Sequence, residues 1–385
     1  MKKYLLSMAV LMAGLSFTAC SSSDDDENSG NESAYTSTLQ TINKQFVNKT
    51  VIPTYKGLAD ACEELLETVE DMDSQSDLQK ACDQWKTARQ YWEWSEAFLF
   101  GAASGYSIDP HIDTWPFDVT AFNNFMSKYN STELSDADIT VLNYNVTTGQ
   151  NLTGFHALEY LIFRDGSART YSDLTVLELT YAKLVAADIY LSACRLEAAW
   201  AGIDNVSSDR QELLAEAEME PEDNFGEEFI NAGQAGSRWK TVLSASVQII
   251  DGCNEIIGEV RDSKIGAPAT GSNVNYIESP HAYNSIQDFY DNIMSCKHAL
   301  YGGLTVSGTS PVSGSLMSFA QTVCPTEASA AMTAMEAALT AIKNMKSPFV
   351  LYYSDASATN AMSKLNDLED ALDDMKGAIE DVVNN

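Results

Sequence analysis

Residues 172–204 read SDLTVLELTYAKLVAADIYLSACRLEAAWAGID, and their spacing decides the fold class. Leu174, Leu177, Tyr181, Leu184, Ala187, Ile189, Leu191, Leu196 and Ala199 fall mostly at the three- and four-residue intervals of a helix, not the alternation of a strand. The same period returns upstream in Leu58, Cys62, Leu65, Leu66 and Val69, and again over 76–99 with many aromatic side chains. Further helices are expected over 149–163, 237–263, 283–301, 325–345 and 357–383. The last has Ser357 or Thr359 as its cap and carries Met362, Leu365, Leu368, Leu372 and Met375. Two sets of about four long helices predict an all-α protein, with two four-helix-bundle-like domains packed side by side. Gly-, Pro- and Ser-rich stretches at 101–120, 264–282 and 302–314 are long loops placed near the domain interface, and acidic residues 208–228 connect the halves. The expected division is a signal peptide at 1–19, a tether at 20–34, an N-terminal bundle at 35–206 and a C-terminal bundle at 207–385.

The chain has 385 residues and a formal charge of −32, with 45% apolar and 10% aromatic residues, enough to fill a core. So large a negative charge argues against nucleic-acid or anionic-lipid binding, which needs clustered Lys and Arg, and suits cation capture. The N-terminus gives an address. Lys2 and Lys3 precede a short apolar run from Leu5 to Leu15, and small residues lead to Cys20. That run is too short to span a bilayer and reads as a processed signal. Phe17-Thr18-Ala19-Cys20 resembles a bacterial lipobox, which implies acylation of Cys20 and anchoring in outer-membrane lipid. The polar, acidic run Ser21–Glu27 resembles a surface-export tag, so the expected location is the envelope of a Gram-negative bacterium, at the cell surface. Six cysteines remain, at 62, 82, 194, 253, 296 and 324, with Cys62 and Cys82 the pair favoured by neighbouring helices and no CxxC zinc knuckle.

The most pointed chemistry lies in Gly154-Phe155-His156-Ala157-Leu158-Glu159. Residues three apart share a helix face, so His156 and Glu159 can offer an imidazole and a carboxylate to one ion; the plainer reading is a hydrogen-bonded core histidine, held by Asp288 or Glu93. Glu93 and Glu96 are also three apart, among Trp85, Tyr91, Trp92, Trp94 and Phe98. A helix this aromatic leaves little room in water for Arg89 and both glutamates, and buried carboxylates want an arginine or a metal. Carboxylate-plus-imidazole sets suit iron, manganese or zinc. Asp109, His111, Asp113 and Asp118 add donors, though as loop residues they read first as ordinary turns and caps. HExxH, GxSxG and phosphate-loop motifs are absent.

GFHALE resembles the GxHxxE signature of the imelysin family of helical envelope proteins. Three further patches resemble that family in the same order: Trp85…Arg89…Glu93-x-x-Glu96-Ala97-Phe98…Gly101; Ile112-Asp113-x-Trp115-Pro116; and Glu278-Ser279-Pro280…Ser285…Asp288-Phe289…Asn292 with Tyr301-x-Gly303. Ala282 stands where the family often carries serine, which puts a hydroxyl role there in doubt. The resemblance implies a site between two bundles, with His156, Glu159 and Glu93 as metal ligands and Gly154, Arg89, Glu96, Asp113, Trp115, Ser285 and Asp288 around them. It implies a divalent iron or zinc ion, or an iron-containing ligand, and a role in iron uptake with an outer-membrane partner. The alternatives it leaves are a zinc metallopeptidase, weakened because HxxE supplies at most two ligands, and a non-catalytic structural module.

Overall fold

The computed structural model describes residues 32–131, 134, 152–306 and 308–385. The expected signal peptide, Cys20 and nearly all of the expected tether lie outside the described residues.

Local signals set the helix starts. Helix α1 (Glu32–Phe46) runs through a widened turn, Val47–Val51, into α2 (Ile52–Glu70). Ser74 caps α3 (Gln75–Glu93) by accepting from the Asp77 amide. After α4 (Gly154–Ile162), Thr175 and Glu178 form a reciprocal capping box on α5 (Val176–Ala201). A second box, Thr241 with Ser244, opens α6 (Val242–Glu259). Then come α7 (Ser285–Tyr301), α8 (Pro325–Lys343) and α9 (Ala356–Asn384). The cap of α9 is Asp355, accepting from the Ser357 amide, in place of the expected Ser357 or Thr359.

The all-α class read from the spacing is the class observed. The described strands form one antiparallel pair of two residues each, Phe163–Arg164 with Ser167–Ala168. Helix α2 packs against α3 and α5, and α4 lies on both α3 and α5; α6 and α8 each pack against α7 and α9. Helix α3 also packs on α7, and the buried apolar side chains of all these helices form one continuous core. Among the described residues, no helix is long and apolar enough to cross a membrane.

Two irregularities place the site. Helix α3 stops at Glu93, earlier than the expected 99, and a single tight turn, Glu96–Phe98, seats its backbone on α6. Gly252 permits this: a Cβ there would lie 2.1 Å from the Ala97 carbonyl oxygen. Helix α6 then widens over Val260–Ile265 and continues to Ala269, inside the stretch expected to be loop. The expected Cys62–Cys82 link is not made. All six described cysteines are buried and unlinked, and the Cys82 thiol turns instead to the Ile162 carbonyl at 3.5 Å.

Candidate functional site

Arg89 is the centre of a buried charge cluster. It has no exposed surface, and its guanidinium meets Glu93 one turn along α3 and Asp113 from the following loop. Its Nη2 also lies 2.6 Å from Glu278 Oε1, and its Nε 3.8 Å from Asp288 Oδ1. Lys264, on the widened turn after α6, reaches Glu278 at 2.9 Å and Glu93 at 3.8 Å. Neutral donors complete the shell: Asn292 on Glu93, Trp92 Nε1 on Asp113 at 2.7 Å and Asn284 on Asp288 at 2.6 Å. Ser285 donates to the Glu278 carbonyl, holding the loop rather than facing His156.

The GxHxxE helix docks beside this cluster. Gly154 takes φ +76, and Ile112 packs so closely that a Cβ would fall 2.2 Å from its carbonyl oxygen. Close docking brings His156 Nε2 to 3.3 Å from Asp113 Oδ1, while Nδ1 lies 3.0 Å from Glu159 Oε2. The other Glu159 oxygen accepts two backbone amides, from His281 at 2.7 Å and Ala282 at 2.8 Å. Ala282 therefore serves through its N–H, and no hydroxyl is needed there. Ser279 and Tyr283, flanking that amide pair, both lie in the left-handed region that non-glycine residues rarely occupy. His156 is thus held by Asp113 and Glu159, not by Asp288 or Glu93, and Glu159 has both oxygens engaged.

Two cavities flank Trp115. One is a groove of about 550 Å3 beside His156, walled by Phe117, Ile277 and Tyr353 among others. The other, about 220 Å3, is acidic: Glu96, Asp109, Asp113 and Glu259 line it with Tyr276. Carboxylate oxygens of Glu96, Asp109 and Asp113 lie within 4.8 Å of one another. Glu96 is 6% exposed, and no hydrogen bond or ion pair among the described residues reaches its carboxylate. Such burial without a partner is expensive unless a cation or a proton neutralises the group.

The electrostatics divide the acids. Burial pushes Glu96 well up, and Glu259, Asp109 and Asp113 add to the shift against the pull of Lys264. Burial, then Asp113 and Glu259, push Asp109 up to about 7. Asp113 goes the other way: against the effect of burial, Arg89, His156 and Lys264 hold it well below the usual range. Burial alone would lower His156, but its bonds to Asp113 and Glu159 raise it to about 9. Asp288, raised mainly by burial, titrates at about 7.

These shifts make stability fall as pH rises. The His156 contribution is complete below its unfolded value of 6.5 and is lost as pH passes through about 9. The protonated forms of Asp109 and Asp288 stabilise fully below 3.8 and lose that effect through about 7. Asp113 contributes steadily above 3.8, so it is constant over this range. Thermal unfolding in the presence of a chelator at pH 5, 7 and 9 should give a melting temperature that drops at each step. A maximum at pH 9 would contradict the assignment.

Of the residues expected from sequence, Arg89, Glu93, Asp113, His156, Glu159 and Asp288 come together, but His156 and Glu93 share no triplet of ligand atoms. Asp118 is an ordinary cap, accepting from the Ala121 amide, and His111 pairs with Asp188 at 2.7 Å. Lys264 and Glu259 carried no sequence signal, and Glu278 appeared only as part of a resembling patch.

A protein named iron-regulated protein A from Synechococcus elongatus is 26% identical over 258 residues, 66% of this chain. The match spans 62% of that relative, so less than two thirds of its length is covered. A crystal structure from Parabacteroides distasonis, described as an iron-regulated protein A precursor, superposes with a TM-score of 0.77 at 26% identity, covering 89% of this chain and 95% of the other. An imelysin-like protein from Psychrobacter arcticum shares the fold at a TM-score of 0.58 and 16% identity, covering 90% of this chain and 94% of the other. The imelysin family model matches residues 51–375, nearly the whole described helical body, and the chain belongs to the imelysin family.

Proposed function

We propose that this imelysin is a lipid-anchored cell-envelope protein that captures a hard, oxygen-preferring cation of the iron type in the Glu96–Asp109–Asp113 pocket, for iron or other metal uptake. The unpartnered, buried Glu96 carboxylate carries the reading. Burying it beside Asp109, Asp113 and Glu259 leaves negative charge that Lys264 alone does not balance, and a bound cation would supply the difference. An all-oxygen donor set suits hard cations, and the relatives named for iron regulation point to iron among them. His156 and Glu159 then act one shell out. Glu159 fixes the ring of His156, and His156 with Arg89 keeps Asp113 ionised and oriented. The metallopeptidase reading has less support, because no histidine lines this cavity and zinc sites favour imidazole or thiolate. Anchoring through acylated Cys20 in outer-membrane lipid, and delivery to an outer-membrane uptake partner, fit the N-terminal signal and the acidic tether.

The test is metal content after anaerobic loading with ferrous iron and desalting, and in parallel with Mn2+. Wild type should retain close to one equivalent. Glu96→Gln/Asp109→Asn should lose it while melting no lower than wild type, since both changes relieve buried like charge. Glu159→Gln should keep the metal but lose stability, by about 1–3 kcal/mol for a buried bond removed. Metal retained by the double variant, or never bound by wild type, would sink the reading.

A further inference from the structure

Lys264 is the second buried cation of the cluster centred on Arg89. The widened turn at the end of α6 carries it into the interior, where it has no exposed surface. Widened helix turns of this kind recur at functional sites. Its ammonium lies 2.9 Å from Glu278, 3.8 Å from Glu93 and 5.0 Å from the centre of the Trp115 ring, which walls the acidic cavity. Arg89 is shared among four carboxylates, so Lys264 balances part of the charge on Glu278 and Glu93, and its field also reaches the acidic cavity beyond Trp115. The acids of the cavity feel the lysine too: it favours the ionised form of Glu96, Asp109, Asp113 and Glu259 alike.

We infer that Lys264 is a resident competitor for the captured cation, a fixed positive charge beside the pocket that weakens retention and keeps loading reversible. The inference rests on the metal reading of that pocket. An ammonium held by Glu278 and Glu93 and a metal ion held by the neighbouring carboxylates of the cavity repel each other, and the repulsion is felt only once the metal is present. A protein meant to pass its cargo on gains from such a limit; one meant to store it does not. A purely structural lysine predicts something else: its removal would lower stability and leave affinity unchanged or weaker.

The experiment compares Mn2+ dissociation constants and chelator-chase release rates in wild type, Lys264→Met and Lys264→Arg at one fixed pH. Lys264→Met should bind about tenfold tighter or more and release correspondingly slowly, while Lys264→Arg stays near wild type. In case Lys264→Met, with Glu278 short of a counter-charge, fails to fold, Lys264→Met/Glu278→Gln is compared with Glu278→Gln; the same tightening is expected between them. Tighter binding in Lys264→Met than in a wild type that binds supports the inference. Wild type that binds, with Lys264→Met no tighter, overturns the inference and leaves the pocket standing. Absence of binding in every form removes the pocket itself.

Discussion

Arg89→Met should lower the melting temperature at pH 7 by about 10 °C. Breaking a buried ion pair by deleting one partner costs roughly 3–5 kcal/mol, and each kcal/mol moves the midpoint of a chain this large by about 2–4 °C. The side chain fills its space, so methionine leaves no large void; the loss comes from four carboxylates, Glu93, Asp113, Glu278 and Asp288, that share one guanidinium. The effect should shrink at pH 5, where protonation of Asp288, raised to about 7, replaces part of the missing charge. Differential scanning calorimetry at the two pH values checks both halves. A drop under about 3 °C at pH 7, or one that grows at pH 5, would mean that the cluster is far better hydrated than its burial indicates.

Gly154→Ala should be nearly as damaging, at about 3 kcal/mol or more, for a geometric reason. The backbone at 154 lies at φ +76, and the added methyl would meet the carbonyl oxygen, carbonyl carbon and Cα of Ile112 at 2.2, 2.5 and 2.8 Å. No rotamer change relieves a clash with backbone. Either α4 backs away or the short helix Asp109–Ile112 does, and that helix carries Asp109 and leads into Asp113. Whichever moves, His156 parts from Asp113, so one change of a single methyl should weaken stability and, on the proposed reading of the pocket, cation retention. An NMR titration of His156 gives the sharper measurement: its pKa should fall from about 9 toward 6.5. A variant that keeps the raised value has kept the docking, and the close approach would then be dispensable.

The helical class was legible because buried helices repeat their apolar residues every three or four positions, and residues 172–204 do so over most of their length. The aromatic helix and GxHxxE were legible for the same reason, as polar residues stranded in apolar patterns. What spacing could not convey was pairing across the chain. Glu159 does share a helix face with His156, yet its second oxygen is taken by the amides of His281 and Ala282, more than 120 positions away. Lys264 sits in a stretch whose glycines and prolines suggest loop, and only the widening of α6 turns it inward. Asp109 and Asp113 look like turn residues and differ from Asp118, a true cap, only in what the fold brings against them.

The six buried thiols have a practical consequence. With no covalent staple among the described helices, this body is held by packing and buried charge. Because each sulfur is enclosed, a thiol-specific dye can react only when the surrounding helices separate. Cys82 beneath α4, Cys62 and Cys194 inside the first set of helices, and Cys253 and Cys296 between α6 and α7 form a distributed set of internal clocks. Their relative labelling rates would tell whether the molecule opens piecemeal or all at once.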